Sequence, residues 1–407
     1  MANTIFVQIA SYRDPELKNT LKDLFEKAEK PDNLRVTIAW QHSEEDKWDN
    51  LDLYKDDKRV NIIDIPYKDS KGACWARHQI QQHYKDEKYT FQLDSHHRFQ
   101  DKWDTILISM VKKLQKKGHN KPLITSYIPS YEPKTYPLGR VNAPWGMSFD
   151  RFIPEGVVFF LPYYIQDRTE EVIPARYYSA HFAFTVGQFA KEVQHDPEYY
   201  FHGEEISIAV RAYTHGYDLF HPNKLIAWHE YTRQGRTKQW DDDPTWGQKN
   251  KDCHTKMRSL LNVDGENELQ ELEYGLGTER TLQDYERYAG IRFSDRSITE
   301  SCKLNTDPGI NLDEEYHQEF KHAIDLHYSQ FPEKDYTFCA IIFENKNGTQ
   351  LYREDIQGEQ FNRMVEANAN GSPFTIWRTY SGPKPNQIII WPHSESKGWG
   401  NKIVQSI

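Results

Sequence analysis

Residues 72–99, GACWARHQIQQHYKDEKYTFQLDSHHRF, decide how this chain is to be read. They divide into a helical segment, a short polar turn and a strand, Tyr89-Thr90-Phe91-Gln92-Leu93, that stops at Asp94-Ser95-His96. Side chains alternate along extended backbone, so a carboxylate and an imidazole two residues apart leave the strand end on the same side and form a chelating pair. One oxygen donor with one nitrogen donor suits manganese or a related divalent ion. Calcium takes more oxygens, and a structural zinc site usually takes cysteine. A strand-end turn with an exposed histidine has the same local pattern, so the surrounding sequence has to decide.

Upstream, Thr4-Ile5-Phe6-Val7-Gln8-Ile9-Ala10 is an apolar run of the kind found in buried parallel strands. Ser11-Tyr12-Arg13-Asp14-Pro15 then turns into a helix over residues 16–30 with Leu17, Leu21, Leu24 and Phe25 on one face. Leu34-Arg35-Val36-Thr37-Ile38-Ala39-Trp40 and Val60-Asn61-Ile62-Ile63-Asp64-Ile65 read as two further strands. Strands alternating with helices over short turns predict an α/β, doubly wound, Rossmann-like sheet. Such sheets bind ligands beyond the carboxyl ends of their strands, which puts Ser11, Tyr12, Arg13 and Asp94 at the expected site. No GxGxxG and no GxxxxGK[ST] occurs in the sequence, which argues against dinucleotide and P-loop chemistry and leaves phosphate groups to a metal.

Composition narrows the classes further. A chain of 407 residues fits two domains, one of them large. With 51 basic and 61 acidic residues the net charge is -10, so neither nucleic acid nor an anionic membrane is an expected general partner. Cys74, Cys253, Cys302 and Cys339 form no close pairs, which points to a reducing compartment. The opening MANTIFVQIASYRD lacks a basic segment followed by an apolar one, and the longest apolar run, residues 157–161, is too short to span a bilayer. A cytoplasmic protein without a membrane span is therefore expected. The 11 Trp and 25 Tyr suit sugar-stacking surfaces and an ordinary large core equally.

Residues 71–99 resemble the donor-binding region of metal-dependent GT-A glycosyltransferases, in which an Arg-bearing helix precedes a strand ending in Asp-x-Asp or Asp-x-His. The likeness is to the cytoplasmic N-acetylglucosaminyltransferases that act on hydroxyproline and, more distantly, to the polypeptide N-acetylgalactosaminyltransferases. It implies that Asp94 and His96 are metal ligands and that Arg77 lies near the diphosphate of a nucleotide sugar. Expelling a nucleoside diphosphate concentrates negative charge on the leaving oxygens, which a divalent ion and a cation neutralise. Outside this context Arg77 would read as a surface helix residue.

Two later stretches resemble the same transferases. Ser179-Ala180-His181-Phe182-Ala183-Phe184-Thr185-Val186 reads as a strand, and Phe201-His202-Gly203-Glu204-Glu205-Ile206 resembles their Gly-Glu-Asn or Gly-Glu-Glu element at a helix start. The likeness makes Glu204 the carboxylate that holds the donor sugar, with Glu205 beside it as a catalytic candidate and His181 on the nucleotide-sugar side. The helix dipole favours acidic residues there in any case, and His202 stands where the more distant family has a second glycine. Leu225-Ile226-Ala227-Trp228-His229-Glu230-Tyr231 ends a short apolar strand in a histidine, which by itself reads as a packed residue. In these transferases a histidine here completes the metal site, giving Asp94, His96 and His229. Residues 232–238, TRQGRTK, are basic and glycine-hinged, as a loop closing over a diphosphate requires, and Arg233 is their candidate phosphate contact. Glu273-Tyr274-Gly275-Leu276-Gly277-Thr278-Glu279-Arg280 and Ala289-Gly290-Ile291 again resemble the hydroxyproline-directed enzymes, so the likeness spans residues 3–297.

The expected organisation is a GT-A catalytic domain over residues 1–310, a linking helix within 311–335, and a small β-rich domain over 336–407 that resembles no known family. In that last part Trp377, Trp391 and Trp399 suit core packing, with a carbohydrate-binding face as the other use. The implied activity is retaining, metal-dependent transfer of a sugar, N-acetylglucosamine being favoured, from a UDP-sugar to a hydroxyl on a protein or glycan. A nucleotide-sugar hydrolase and a non-catalytic sugar-binding protein are the competing readings.

Overall fold

The computed structural model describes residues 3–165, 170–232, 235–265, 272–371 and 373–407. The elements that carry the site are, in chain order, β1 (Ile5–Tyr12), α1 (Leu17–Lys27), β2 (Leu34–His42), β3 (Val60–Pro66), α2 (Ala73–Gln81), β4 (Tyr89–Asp94), β5 (His97–Phe99), α3 (Trp103–Lys116), β6 (Pro122–Thr125), β7 (Trp145–Phe152), β8 (Val158–Tyr164), β9 (Ile173–Pro174), β10 (Phe182–Val186), α4 (Phe189–Glu192), α5 (Glu204–Thr214), β11 (Asp218–His221), β12 (Ala227–His229) and α6 (Gln239–Asp242). Eight strands form one sheet in the order β3-β2-β1-β4-β10-β6-β11-β9. The first four run parallel and β10 enters antiparallel, so the sheet is mixed.

The expected alternation of faces holds. Val7, Ile9, Val36 and Ile38 pack under Leu17, Leu21 and Leu24 of α1 and Trp103, Leu107 and Val111 of α3. On the opposite face Phe6, Ala39 and Ile65 meet Ala76 and Ile80 of α2. Helices on both faces make the doubly wound architecture that the strand and helix pattern implied. The register sets Ala10 beside both Ala39 and Asp94, so β1, β2 and β4 end together and open a crevice at their carboxyl ends.

A second, two-stranded sheet builds on this rim. β5 continues directly from the end of β4 and pairs antiparallel with β12, placing His97 opposite His229. Further support comes from the His229 N–H, which donates to Pro129 O at 3.0 Å, and the Glu230 N–H, which donates to His96 O at 3.2 Å. The β7–β8 hairpin is a separate two-stranded element.

The chain divides into two compact units, the second made of residues 296–298 and 316–407. This corrects the expected linking helix. Tyr316–His327 is a strand followed by one 3-10 turn, Tyr328–Gln330. Phe320 and Ile324 have helical spacing, but burial alternates from Ile324 to Leu326 with Ala323, Asp325 and His327 exposed, the period of a half-buried strand. The unit is β-rich as expected, with strands Tyr336–Glu344, Gln350–Gln357, Pro373–Ser381, Gln387–Ser394, Gly398–Trp399 and Ile403–Ser406. It also contains a helix, Gly358–Ala367, which buries Phe361 and Val365. Trp377 and Trp399 are 48% and 42% exposed, so the expected core packing does not hold for them. Among the described residues no helix is long and apolar enough to cross a membrane.

The core of the eight-stranded sheet centres on Phe91, fully buried, with ring centroids 5.2 Å from Trp103, 5.2 Å from Phe182 and 5.7 Å from Phe184. Phe91→Ala is expected to lower unfolding stability by about 3–5 kcal/mol through lost burial and a residual cavity. Urea unfolding followed by tryptophan fluorescence measures this; a loss under about 1 kcal/mol contradicts the packing described.

Candidate active site

Asp94 stands at the end of β4, where the sheet stops and the backbone turns. Its Oδ2 lies 3.8 Å from His96 Nε2 and 3.5 Å from His229 Nε2. The ligand atoms of all three side chains lie within 4.8 Å of one another. Between them His97 turns the other way, directing Nδ1 to the Asp94 carbonyl at 2.9 Å, as alternation at a strand end requires.

His96 is oriented from behind. Its Nδ1 meets Asp14 Oδ2 at 2.7 Å, leaving Nε2 toward Asp94. Asp14 is buried and also accepts from Ser95 Oγ at 2.7 Å and Arg236 Nη1 at 3.0 Å. A carboxylate holding the far nitrogen of an imidazole is the usual outer support of a metal-binding histidine. His229 is buried, yet among the described residues neither of its ring nitrogens has a hydrogen-bond partner. Orphaned buried nitrogens are costly unless something else takes the lone pair.

Burial works against charge on Asp94, but contact with His229 and the Arg77 guanidinium hold its carboxyl well below the usual carboxylate range. Burial and the neighbouring His181 hold the His229 ring well below the usual histidine range, so it is neutral. A charged carboxylate with two imidazole rings fits a divalent metal ion, manganese among them.

Arg77, on α2, is buried and spans two carboxylates, donating from Nη2 to Asp94 at 2.8 Å and from Nη1 to Glu204 Oε1 at 2.5 Å. The Cys74 thiol, pushed well up by burial, donates to the other Glu204 oxygen. Gly203 opens α5 at φ +95°, a left-handed conformation that favours glycine and directs Glu204 inward. Both Glu204 oxygens are thus engaged, and Arg77 is committed to protein carboxylates at the place where the diphosphate was expected.

Two cavities meet at Arg77, Asp94 and His229. The first, about 170 Å³, is lined by Tyr12, Asp14, His96, Tyr200, Arg236 and Trp240, among others. Tyr12 Oη donates to Asp242 at 2.7 Å, linking the end of β1 to α6. Ser11 and Arg13 fall outside this lining. Arg13 pairs with Asp46 at 2.7 Å and Asp242 at 3.0 Å and stacks over Tyr67. Arg233 lies outside the described residues. From the same basic segment Arg236 reaches the site, pairing with Asp14 and, at 3.4 Å, with Glu230, and touching His96 Nδ1.

The second cavity, about 440 Å³, is lined by Tyr127, Phe160, His181, Glu205 and Tyr231. His181 therefore sits on this side; its ring stacks 4.2 Å from His229, and burial pushes it down to about 3. Glu205 accepts from Tyr127 Oη and from the Ala180 N–H, both at 2.8 Å. Burial, partly offset by the Ala180 N–H and reinforced by the charge of Glu204, pushes its carboxyl up to about 7. Asp14, Cys74, Tyr127, Tyr231 and Arg236 were not singled out by residue type and spacing. Asp14 and Arg236 lie inside segments that were, but their partners are distant in sequence.

The family model described as Glycosyltransferase (GlcNAc) matches residues 4–58 and 50–295. The chain belongs to this glycosyltransferase family. The match covers the whole of the site just described. A search of curated proteins finds no match. Among solved structures, the chain is similar to GalNAc-T7 with UDP, GalNAc and Mn2+ at 15% identity, covering 70% of this chain and 48% of that one, with a TM-score of 0.45. It is similar to S. aureus TarS 1-349 in complex with UDP-GlcNAc at 11% identity, covering 66% and 68%, TM-score 0.40. A mannosyltransferase from Pyrobaculum calidifontis in complex with GDP-Man and Mn2+ gives 11% identity, 57% and 58%, TM-score 0.37. The chain thus spans about half the length of the GalNAc-T7 structure.

The raised Glu205 value has a measurable consequence. Below the unfolded value of about 4.3 both states are protonated; above it the folded chain holds a proton the unfolded chain has lost, so stability falls as pH rises through about 7. Glu205→Gln keeps the acceptor for Ala180 and removes the charge. Its melting temperature relative to the parent is expected to rise between pH 5 and pH 8, read by scanning calorimetry. A difference that does not change with pH counts against a protonated Glu205.

Proposed function

We propose that this chain is a metal-dependent, retaining glycosyltransferase that moves a sugar, N-acetylglucosamine, from a UDP-sugar to a hydroxyl on a protein or glycan. The observation that carries the reading is the convergence of Asp94, His96 and His229 at the junction of two cavities. The family match and its GlcNAc description support the class of donor sugar.

In this reading the donor nucleotide occupies the first cavity, with Tyr12 and Arg236 in its wall, and the acceptor hydroxyl enters through the second. Asp94, His96 and His229 would hold the metal, manganese or another divalent cation, which when bound supplies charge neutralisation for the departing diphosphate. Arg236 adds positive charge on the nucleotide side, and Arg77 keeps Asp94 ionised and pointed at the junction. Glu205 and Tyr127, facing the second cavity, orient the sugar and the acceptor through hydrogen bonds. Glu204 acts through Arg77 and is a positioning residue.

The bond from the anomeric carbon to the phosphate oxygen breaks with its electron pair going to UDP. The acceptor oxygen bonds to the same face of that carbon, and its proton passes to the departing diphosphate. Support for a route without a covalent glycosyl-enzyme comes from the carboxylates themselves. Both Glu204 oxygens are engaged by Arg77 and Cys74, and Glu205 holds a proton near neutrality. A cytoplasmic setting belongs to the same reading, supported by four cysteines that are all buried and unpaired.

Asp94→Asn tests the centre of this proposal. Titration calorimetry of UDP in manganese is expected to show at least about 100-fold weaker binding than the parent, and little difference without metal, since only the metal-linked part depends on the carboxylate charge. Equal affinity in manganese removes Asp94 from the site. Incubating the parent with UDP-N-acetylglucosamine and a lysate should give a mass increment on an acceptor. UDP release with no such product would identify a hydrolase instead.

A further inference from the structure

In the second unit one sheet has two apolar faces. One face packs into the unit's core, with Ile341, Phe343, Ile388 and Ile390 under Phe361 and Val365 of the helix Gly358–Ala367. The other carries Ala340, Ile342 and Ile389, buried beneath Phe338 and Trp391. The antiparallel register lines up Phe338, His393 and Trp399 in one row, and Ile342, Ile389 and Val404 in another.

Aromatic rings cluster at one end of this outer face. Trp399 lies 4.1 Å from Trp391, with Phe338 and His393 each 5.2 Å away and nearly perpendicular to it. The Trp391 indole N–H donates to Gly400 O at 3.0 Å, which pins the turn next to Trp399 against the sheet. Trp399 is held by neighbouring rings and still 42% exposed, and Val404 is 53% exposed. Polar groups stand around it. Lys402 Nζ sits 4.2 Å from the Trp391 ring centre, and the Arg353 guanidinium, paired with Asp355 at 2.8 Å, lies 5.9 Å from the Trp399 ring.

We propose that this face binds a glycan, a chain of hexopyranose units that stacks its C–H face on Trp399. Such a sugar presents a flat apolar face fringed by hydroxyls. The sheet presents the complement, a fixed aromatic ring fringed by donors on Arg353 and Lys402 and acceptors on Asp355. The Arg353–Asp355 pair cancels its own charge and leaves one ammonium, so the fringe matches hydroxyls better than a polyanion. A second copy of the chain is a poorer occupant. Trp399 is flanked by the charged Arg353, Asp355 and Lys402, which an apolar seam between two copies would have to strip of water. This face is built from residues of the second unit and the proposed donor site from residues of the first; resting on the proposed function, it gives the transferase a hold on a glycan-bearing acceptor.

The test uses the full-length protein on a printed array of microbial, plant and animal glycans, followed by calorimetry with the best-bound oligosaccharide. Binding to pyranose glycans is expected, falling by about tenfold or more in Trp399→Ala and recovering in part in Trp399→Phe. The melting temperature and UDP affinity in manganese should be unchanged in both variants. Asp94→Asn should keep the glycan affinity, which separates this face from the donor site. No array glycan bound by the parent, equal binding by Trp399→Ala, or loss only in Asp94→Asn would each overturn the proposal. So would a dimer, seen by light scattering, that Trp399→Ala dissolves without change in glycan binding.

Discussion

The buried guanidinium of Arg77 is the interaction on which the rest of the site depends. It sits between two carboxylates from different elements, Asp94 at the end of β4 and Glu204 at the start of α5. Two carboxylates brought this close without a cation would repel and would each lose hydration, and one of them would take up a proton. With Arg77 between them Asp94 stays ionised. Removing Arg77 leaves two uncompensated buried carboxylates, which costs more than the cluster's net contribution to stability. Three elements of the fold are thereby fixed to one another by charge as well as by packing.

Around this bridge the protein gathers donors that a folded chain does not retain for stability alone. Among the described residues neither nitrogen of the buried His229 has a hydrogen-bond partner, and His96 is turned toward it by Asp14. The geometry is assembled by two sheets of different kinds. The parallel strands supply the crevice, and the short β5–β12 ladder carries His229 across to its rim. Beyond β12, Arg236 pairs with Asp14, and Asp242 meets Tyr12 and Arg13. These contacts close the first cavity to a volume of about 170 Å³.

The second unit differs in how its surface is made. Its sheet buries one face in the ordinary way and leaves on the other a tryptophan fixed by its neighbours and open to solvent. Trp399 packs against Trp391, Phe338 and His393 and keeps part of its ring in contact with water, with the Arg353 guanidinium beside it.

Much of the fold was legible in the sequence because its signals are local. The apolar runs of β1, β2 and β4 and the leucine stripe of α1 each report their own period, and the placement of Asp94 and His96 on one side follows from alternation at one strand end. The resemblance to GT-A enzymes brought in His229, which as a residue type and position reads only as a packed histidine. Where local signals competed, they misled. Phe320 and Ile324 have helical spacing, yet Tyr316–His327 is a strand because its pairing with Pro373–Ser381 outweighs that spacing. Tertiary structure alone decided that Glu204 meets Arg77 and Cys74 while the adjacent Glu205 meets Tyr127 and the Ala180 N–H, since one step along a helix turns a side chain by about 100°. It also decided that Asp14, 82 residues from His96, orients it, and that Arg77 faces carboxylates. These are long-range pairings of charge, and no periodicity in a single sequence encodes a partner that only the finished fold brings near.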